Sequence, residues 1–196
     1  LNANLFLELD CDIIRTLEVA GVNSNHLSSC RALSLRGRRQ RAILGGNIMG
    51  NKKYVAYVGT YTHGNSKGIQ VYDVDVEKGT LKERSEVQVS NASHTAISKN
   101  GKFLYSIEDE GVAVFKRDEN GDLTRINRVS IDGMRGCFLA TDVDGKYLYV
   151  AGYHDGKVTV VHTRRDGSLG RIMDGVYHKG LGSVAERNFR PHVNCV

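Results

Sequence analysis

The chain has 196 residues, a formal net charge of +5, 40% hydrophobic and 25% charged residues, the proportions of a globular protein long enough to bury a core. No run approaches the roughly 18 apolar residues of a membrane span, and no charged stretch followed by an apolar one opens the chain as a secretory signal would. The four cysteines, Cys11, Cys30, Cys137 and Cys195, are scattered without a CxxC. That pattern argues against a disulfide scaffold or a cysteine zinc site and fits a reducing, cytoplasmic setting.

Composition changes sharply near residue 48. Residues 1–48 contain no Lys and no Tyr, whereas all nine Tyr lie after Met49. The change falls on Gly45-Gly46-Asn-Ile-Met49, and two glycine codons of the GGA/GGG type just before an ATG would form a bacterial ribosome-binding sequence. The expectation is that 1–48 is a non-native or disordered leader and that the native protein starts at Met49. Within it, Leu5, Leu9, Ile13 and Leu17 fall at spacing four, so Leu5 to Val19 could form a short helix. Arg31, Arg36, Arg38, Arg39 and Arg41 form a basic stretch, but no aromatic residue lies among them to stack on bases, so nucleic acid is not an expected partner.

From residue 50 onward short Tyr- and Val-rich runs alternate with Gly, Asp and Asn turns, as in antiparallel sheets. A partial unit of strands is predicted at 54–61, 69–75 and 81–89. A full unit follows at 94–98, 102–109, 111–118 and 123–131, and another at 137–142, 146–153, 157–163 and 169–177. The pattern recurs every 43 to 45 residues: Gly68-Ile-Gln-Val-Tyr matches Gly111-Val-Ala-Val-Phe, and Asn100-Gly-Lys-Phe-Leu-Tyr matches Asp144-Gly-Lys-Tyr-Leu-Tyr. Four strands at a period in the forties are the signature of a β-propeller blade. The predicted class is therefore all-β, with blades near 54–89, 94–131 and 137–177 and the start of another at 191–196. The 148 residues from Met49 make about 3.4 periods, fewer than the four to eight blades that close a propeller. The expectation is an incomplete propeller.

Several segments resemble the seven-bladed propeller lactonases, the propeller-type 6-phosphogluconolactonases. Tyr57-Val-Gly-Thr-Tyr-Thr62 with Gly68-Ile69 is similar to that family's opening. Ser90-Asn-Ala-Ser-His94, Lys102-Phe-Leu-Tyr105 with Glu108, and Ala151-Gly-Tyr-His-Asp-Gly156 follow in family order. Arg187-Asn188 and Pro191-His192 resemble its Arg-Gln pair and Pro-His-x-His end. The chain departs from the pattern at Ala92, Gly152, Asn188 and Asn194.

The resemblance implies about three blades of seven and hydrolysis of 6-phospho-D-glucono-1,5-lactone to 6-phosphogluconate, with no cofactor and no metal. Such chemistry needs a base for water, donors for the oxyanion and cations for phosphate. His192 is the expected base, because imidazole exchanges protons near neutral pH. Arg187 is the expected oxyanion or phosphate holder, through its planar fork. Tyr153, His154 and Asn194 are the expected substrate contacts. Against these stand a structural histidine at 192, a solvated Glu186–Arg187 pair, and a plain turn at His154. Glu108-Asp-Glu110 could be a paired acid, but reads rather as a polar strand end.

The same fold could host muconate lactonisation or serve as a protein-binding scaffold. Gly180-Leu-Gly182-Ser-Val-Ala185 fits a dinucleotide fingerprint but has no βαβ context, and Asn91-Ala-Ser93 is a sequon without secretory context.

Overall fold

The computed structural model describes residues 53–182 and 190–196 in full and the backbone of Ile14–Gly21. The described residues form twelve strands and no helix, so none is long and apolar enough to cross a membrane. They are β1 (Ile14–Gly21), β2 (Tyr54–Thr60), β3 (Gly68–Asp75), β4 (Thr80–Gln88), β5 (Thr95–Ile97), β6 (Phe103–Glu108), β7 (Gly111–Arg117), β8 (Leu123–Ser130), β9 (Phe138–Thr141), β10 (Tyr147–Gly152), β11 (Lys157–Thr163) and β12 (Leu169–Tyr177). Three antiparallel sheets follow one another along the chain, β1-β2-β3-β4, β5-β6-β7-β8 and β9-β10-β11-β12. Eleven of these strands fall within one or two residues of the predicted ones. The chain is therefore all-β with the four-stranded repeat of a partial propeller.

The first sheet departs from expectation. Its innermost strand is β1, taken from the upstream segment and paired with β2 from Gly21↔Tyr54 to Ile14↔Thr60. The helix expected over Leu5 to Val19 is thus a strand where it is described, from Ile14, and its earlier residues lie outside the described part. Two periodicities compete in this segment, the spacing of four and the alternation of Leu17 and Val19 with Thr16 and Glu18. The open edge of β2 offers a row of backbone partners to the second of them.

The middle sheet has no wet face over its two central strands. Leu104, Ala113 and Phe115 pack on Val55, Tyr57, Ile69 and Val71 of the first sheet, with Val89 and Ala92. On the other side Tyr105, Ile107, Val112 and Val114 pack on Leu139, Leu148, Val150, Val161 and Leu169 of the third. That is why β6 and β7 read as near-continuous apolar runs. The outer strands β4, β8 and β12 alternate toward solvent and carry the charged residues.

Polar staples join neighbouring sheets. The Tyr57 hydroxyl donates to the Gly121 carbonyl at 2.5 Å and accepts from Arg117 Nε at 2.9 Å, and the Arg117 fork also donates to the Gly101 carbonyl. Arg84 bridges Asp73 (3.0 Å) and Asp122 (2.9 Å). The Asn127 amide imitates a ladder rung, donating to Leu169 O at 2.8 Å and accepting from Leu169 N at 3.0 Å.

Strand direction sorts the loops onto two ends. The turns after β3, β7 and β11 lie at one end, held by Asx bonds from Asp75, Asp118 and Asp166. The turns after β2, β6 and β10 and the links between sheets lie at the other. All described candidate site residues belong to this second end.

Candidate active site at the loop mouth

His192 sits on the segment after β12, against the turn that follows β10. Its Nδ1 is 2.6 Å from the Tyr153 carbonyl, and its ring stacks on the Tyr153 ring at 4.2 Å between centroids and 9° between planes. A carbonyl can only accept, so Nδ1 carries the hydrogen. The neutral imidazole then holds its lone pair on Nε2. The turn itself is pinned from both sides. Asp155 accepts from the Lys157 and Met134 amides at 3.2 and 2.9 Å, and Gly156, at φ +63°, lies so close to Pro191 that a Cβ would come 2.7 Å from its carbonyl oxygen. Only glycine fits there without displacing the segment that carries His192.

His154 turns its ring edge to Tyr153 at 5.4 Å and opens onto an adjacent cleft of about 280 Å³. Asn91, Asp109, Glu110, Met134 and Arg135 complete its lining. The link between the first and second sheets supplies Asn91, the tight turn after β6 supplies Asp109 and Glu110, and the link between the second and third supplies Met134 and Arg135. Asn91 and Asp109 both adopt left-handed backbone, at φ +50° and +49°, a conformation that Asn and Asp tolerate better than most. Asn91 Nδ2 donates to Asp109 Oδ1 at 2.7 Å, and Asn91 Oδ1 accepts from the Thr62 amide and hydroxyl at 3.3 Å. The Arg135 guanidinium lies 5.0 Å from the Tyr61 ring centre.

Other groups at this end are structural. His94 Nδ1 accepts from the Leu139 amide at 3.3 Å and its ring packs on Phe138, and burial pulls its pKa down to about 4. It is therefore a half-buried, neutral histidine with a structural hydrogen bond. The Cys137 thiol donates to the Val193 carbonyl at 3.3 Å, and burial raises its pKa, leaving it a poor nucleophile. Among the described residues no three His, Cys, Asp or Glu converge as a metal site.

The structure thus brings His192, Tyr153 and His154 to one mouth. Asn194 follows on the same segment, exposed, with its carbonyl 3.6 Å from Cys137 Sγ. Arg187, the expected oxyanion or phosphate holder, lies outside the described residues. Sequence reading missed Arg135 altogether and took Asp109 and Glu110 for a strand end. The only advance signal was the placement of Asn91 and Asp109 at turns that demand left-handed backbone.

Comparison with known proteins agrees with this architecture. The chain is 39% identical over 148 residues to the 6-phosphogluconolactonase of Bacillus subtilis (strain 168), covering 72% of this chain and 42% of that protein. It is 30% identical over 147 residues to the 6-phosphogluconolactonase of Formosa agariphila, covering 70% of this chain and 42% of that one. The structure of the periplasmic gluconolactonase of Pseudomonas aeruginosa superposes with a TM-score of 0.67 at 29% identity, over 72% of this chain and 43% of that one. The chain therefore spans about two fifths of the length of these relatives. The sequence pattern of the family described as "Lactonase, 7-bladed beta-propeller" matches residues 55–196. With three successive four-stranded sheets and this match, the chain belongs to the seven-bladed β-propeller lactonase family.

Proposed function

We propose that the mouth described above is part of the active site of an enzyme that hydrolyses a sugar lactone, with 6-phospho-D-glucono-1,5-lactone as substrate. The observation that supports this reading best is the fixed imidazole of His192. Its Nδ1–H is committed to the Tyr153 carbonyl and its ring is clamped by stacking, so Nε2 is the basic atom.

In the proposed step Nε2 removes a proton from water as the oxygen attacks the lactone C1. The carbonyl π pair moves onto oxygen, then returns as the ring C1–O bond breaks. The ring oxygen leaves with the proton from Nε2 as a hydroxyl, and the new carboxylic acid at C1 gives its remaining water-derived proton to solvent to become a carboxylate. Arg187 is assigned to the oxyanion or the phosphate, where a planar fork gives two charge-assisted bonds. Tyr153, His154 and Asn194 are assigned to substrate contact, and no cofactor enters this scheme.

The test is lactone hydrolysis followed by proton release in the full-length protein. His192→Gln is expected to lower kcat by about 10²–10⁴-fold, the usual contribution of a positioned base, with little change in KM. An unchanged kcat refutes the role of His192.

Two finer points belong to this reading. The chain alone is expected to turn over no lactone, because the family's remaining blades would complete the mouth, and robust turnover by 49–196 would refute that. The protein is expected in the cytoplasm, and recovery of the native protein outside it would overturn that placement.

A further inference from the structure

We propose that the cleft beside His154 is a subsite for the neutral hydroxyls of the sugar, and that it does not take a phosphate. The ligand class rests on the lactonase reading, whereas the preference for hydroxyl over phosphate rests on the cleft's own chemistry. Its lining combines groups that only accept, the Asp109 and Glu110 carboxylates, with a group that only donates, the Arg135 guanidinium. A sugar hydroxyl both donates and accepts, so adjacent hydroxyls can satisfy both kinds of wall at once. A phosphate has acceptor oxygens and negative charge. It would find donors only in Arg135 and the His154 ring and would face two carboxylates of its own sign.

The polar groups are also available. Asn91 is consumed in holding Asp109 Oδ1 and the Thr62 backbone, which fixes one carboxylate oxygen and leaves Asp109 Oδ2 with no protein donor among the described residues. Among the described residues neither the Glu110 carboxylate nor the Arg135 guanidinium has a hydrogen bond or ion pair, and the Arg135 fork lies 5.0 Å from the Tyr61 ring centre. Tyr153 shares one turn with His154 and carries the His192 clamp. A sugar whose hydroxyls enter the cleft would therefore keep its reacting carbon on the His192 side. Any 6-phosphate would project away from Asp109 and Glu110.

The test measures D-glucitol, a hydroxyl-bearing probe that cannot be hydrolysed, by saturation-transfer NMR on the full-length protein. Wild type is expected to bind it saturably, with equimolar inorganic phosphate failing to displace it. Binding is expected to weaken about tenfold in Asp109→Asn/Glu110→Gln and, independently, in Arg135→Lys, which loses the bidentate fork. Asparagine accepts the left-handed backbone at 109 and retains the bond from Asn91, and position 110 is exposed, so these variants keep the fold. Displacement by phosphate, or unchanged affinity in both variants, overturns the subsite. The two readings fail separately. Glucitol bound as described with no lactone hydrolysed sinks the lactonase reading alone, whereas hydrolysis with KM unchanged in both variants sinks the subsite alone.

Discussion

Acid should loosen this protein through one half-buried ring. His94 is neutral when folded, with its pKa drawn from 6.5 to about 4 by burial. In the unfolded chain it takes up a proton near pH 6.5, and in the folded protein it resists until about pH 4. Its contribution to stability is therefore complete above pH 6.5, falls as the pH drops through that value, and is spent near pH 4. A displacement of this size amounts to roughly 3 kcal/mol, a large share of the 5–15 kcal/mol typical of a domain. Protonation would also turn the acceptor of the Leu139 amide into a donor. The perturbation is His94→Asn, whose Oδ1 can occupy the place of Nδ1 and accept the same bond without titrating. Urea unfolding is measured for both proteins at intervals from pH 7.5 to 4. Carboxylates contribute equally to both, so the difference between the curves isolates residue 94. The wild type should lose about 3 kcal/mol more than the variant over that interval. Parallel curves would refute the assignment of His94 as a neutral ring in the folded protein.

Three further outcomes follow from contacts already described. Tyr57→Phe leaves the Gly121 carbonyl and Arg117 Nε without their partner in a dry interface, and should cost about 2–4 kcal/mol in urea unfolding. Asn127→Ala removes both rungs to Leu169 and should cost about 1–3 kcal/mol by the same assay, with Asn127→Asp restoring only the accepting half. Gly156→Ala meets both an unfavourable φ and the Pro191 carbonyl, so it should cost about 1–2 kcal/mol. It should also lower kcat more than it raises KM, because the displaced segment carries His192.

The blades were legible because a propeller repeats its side-chain pattern. Gly68-Ile-Gln-Val-Tyr and Gly111-Val-Ala-Val-Phe announce the same strand twice, and Asn100-Gly and Asp144-Gly mark the same hairpin. The role of β1 was not legible, because a segment that can alternate or repeat at four is settled by what it finds to pair with, here the edge of β2. His192 could be singled out by its resemblance to a family motif, but its orientation could not, since Tyr153 lies 39 positions away. Arg135 carried no mark in sequence. Its importance arises only when links some forty residues apart meet at one cleft, and a lone arginine between Met134 and Gly136 resembles any surface charge.

The doubly buried middle sheet has a consequence for how its pairing is specified. Ordinarily a one-residue slip between strands is forbidden because it drives polar side chains into the core. In β6 and β7 a slip would exchange one apolar face for another, so hydrophobicity alone does little to prevent it. The burden falls on the ends. Glu108 pairs with Gly111 across a turn of only Asp109 and Glu110, and Asp109 holds left-handed backbone to close it. The pair of residues that offers carboxylates to the cleft thus also sets the alignment of the two central strands. Binding chemistry and strand alignment are inherited together there: a residue at 109 that resists the turn would misalign the sheet before it altered any ligand.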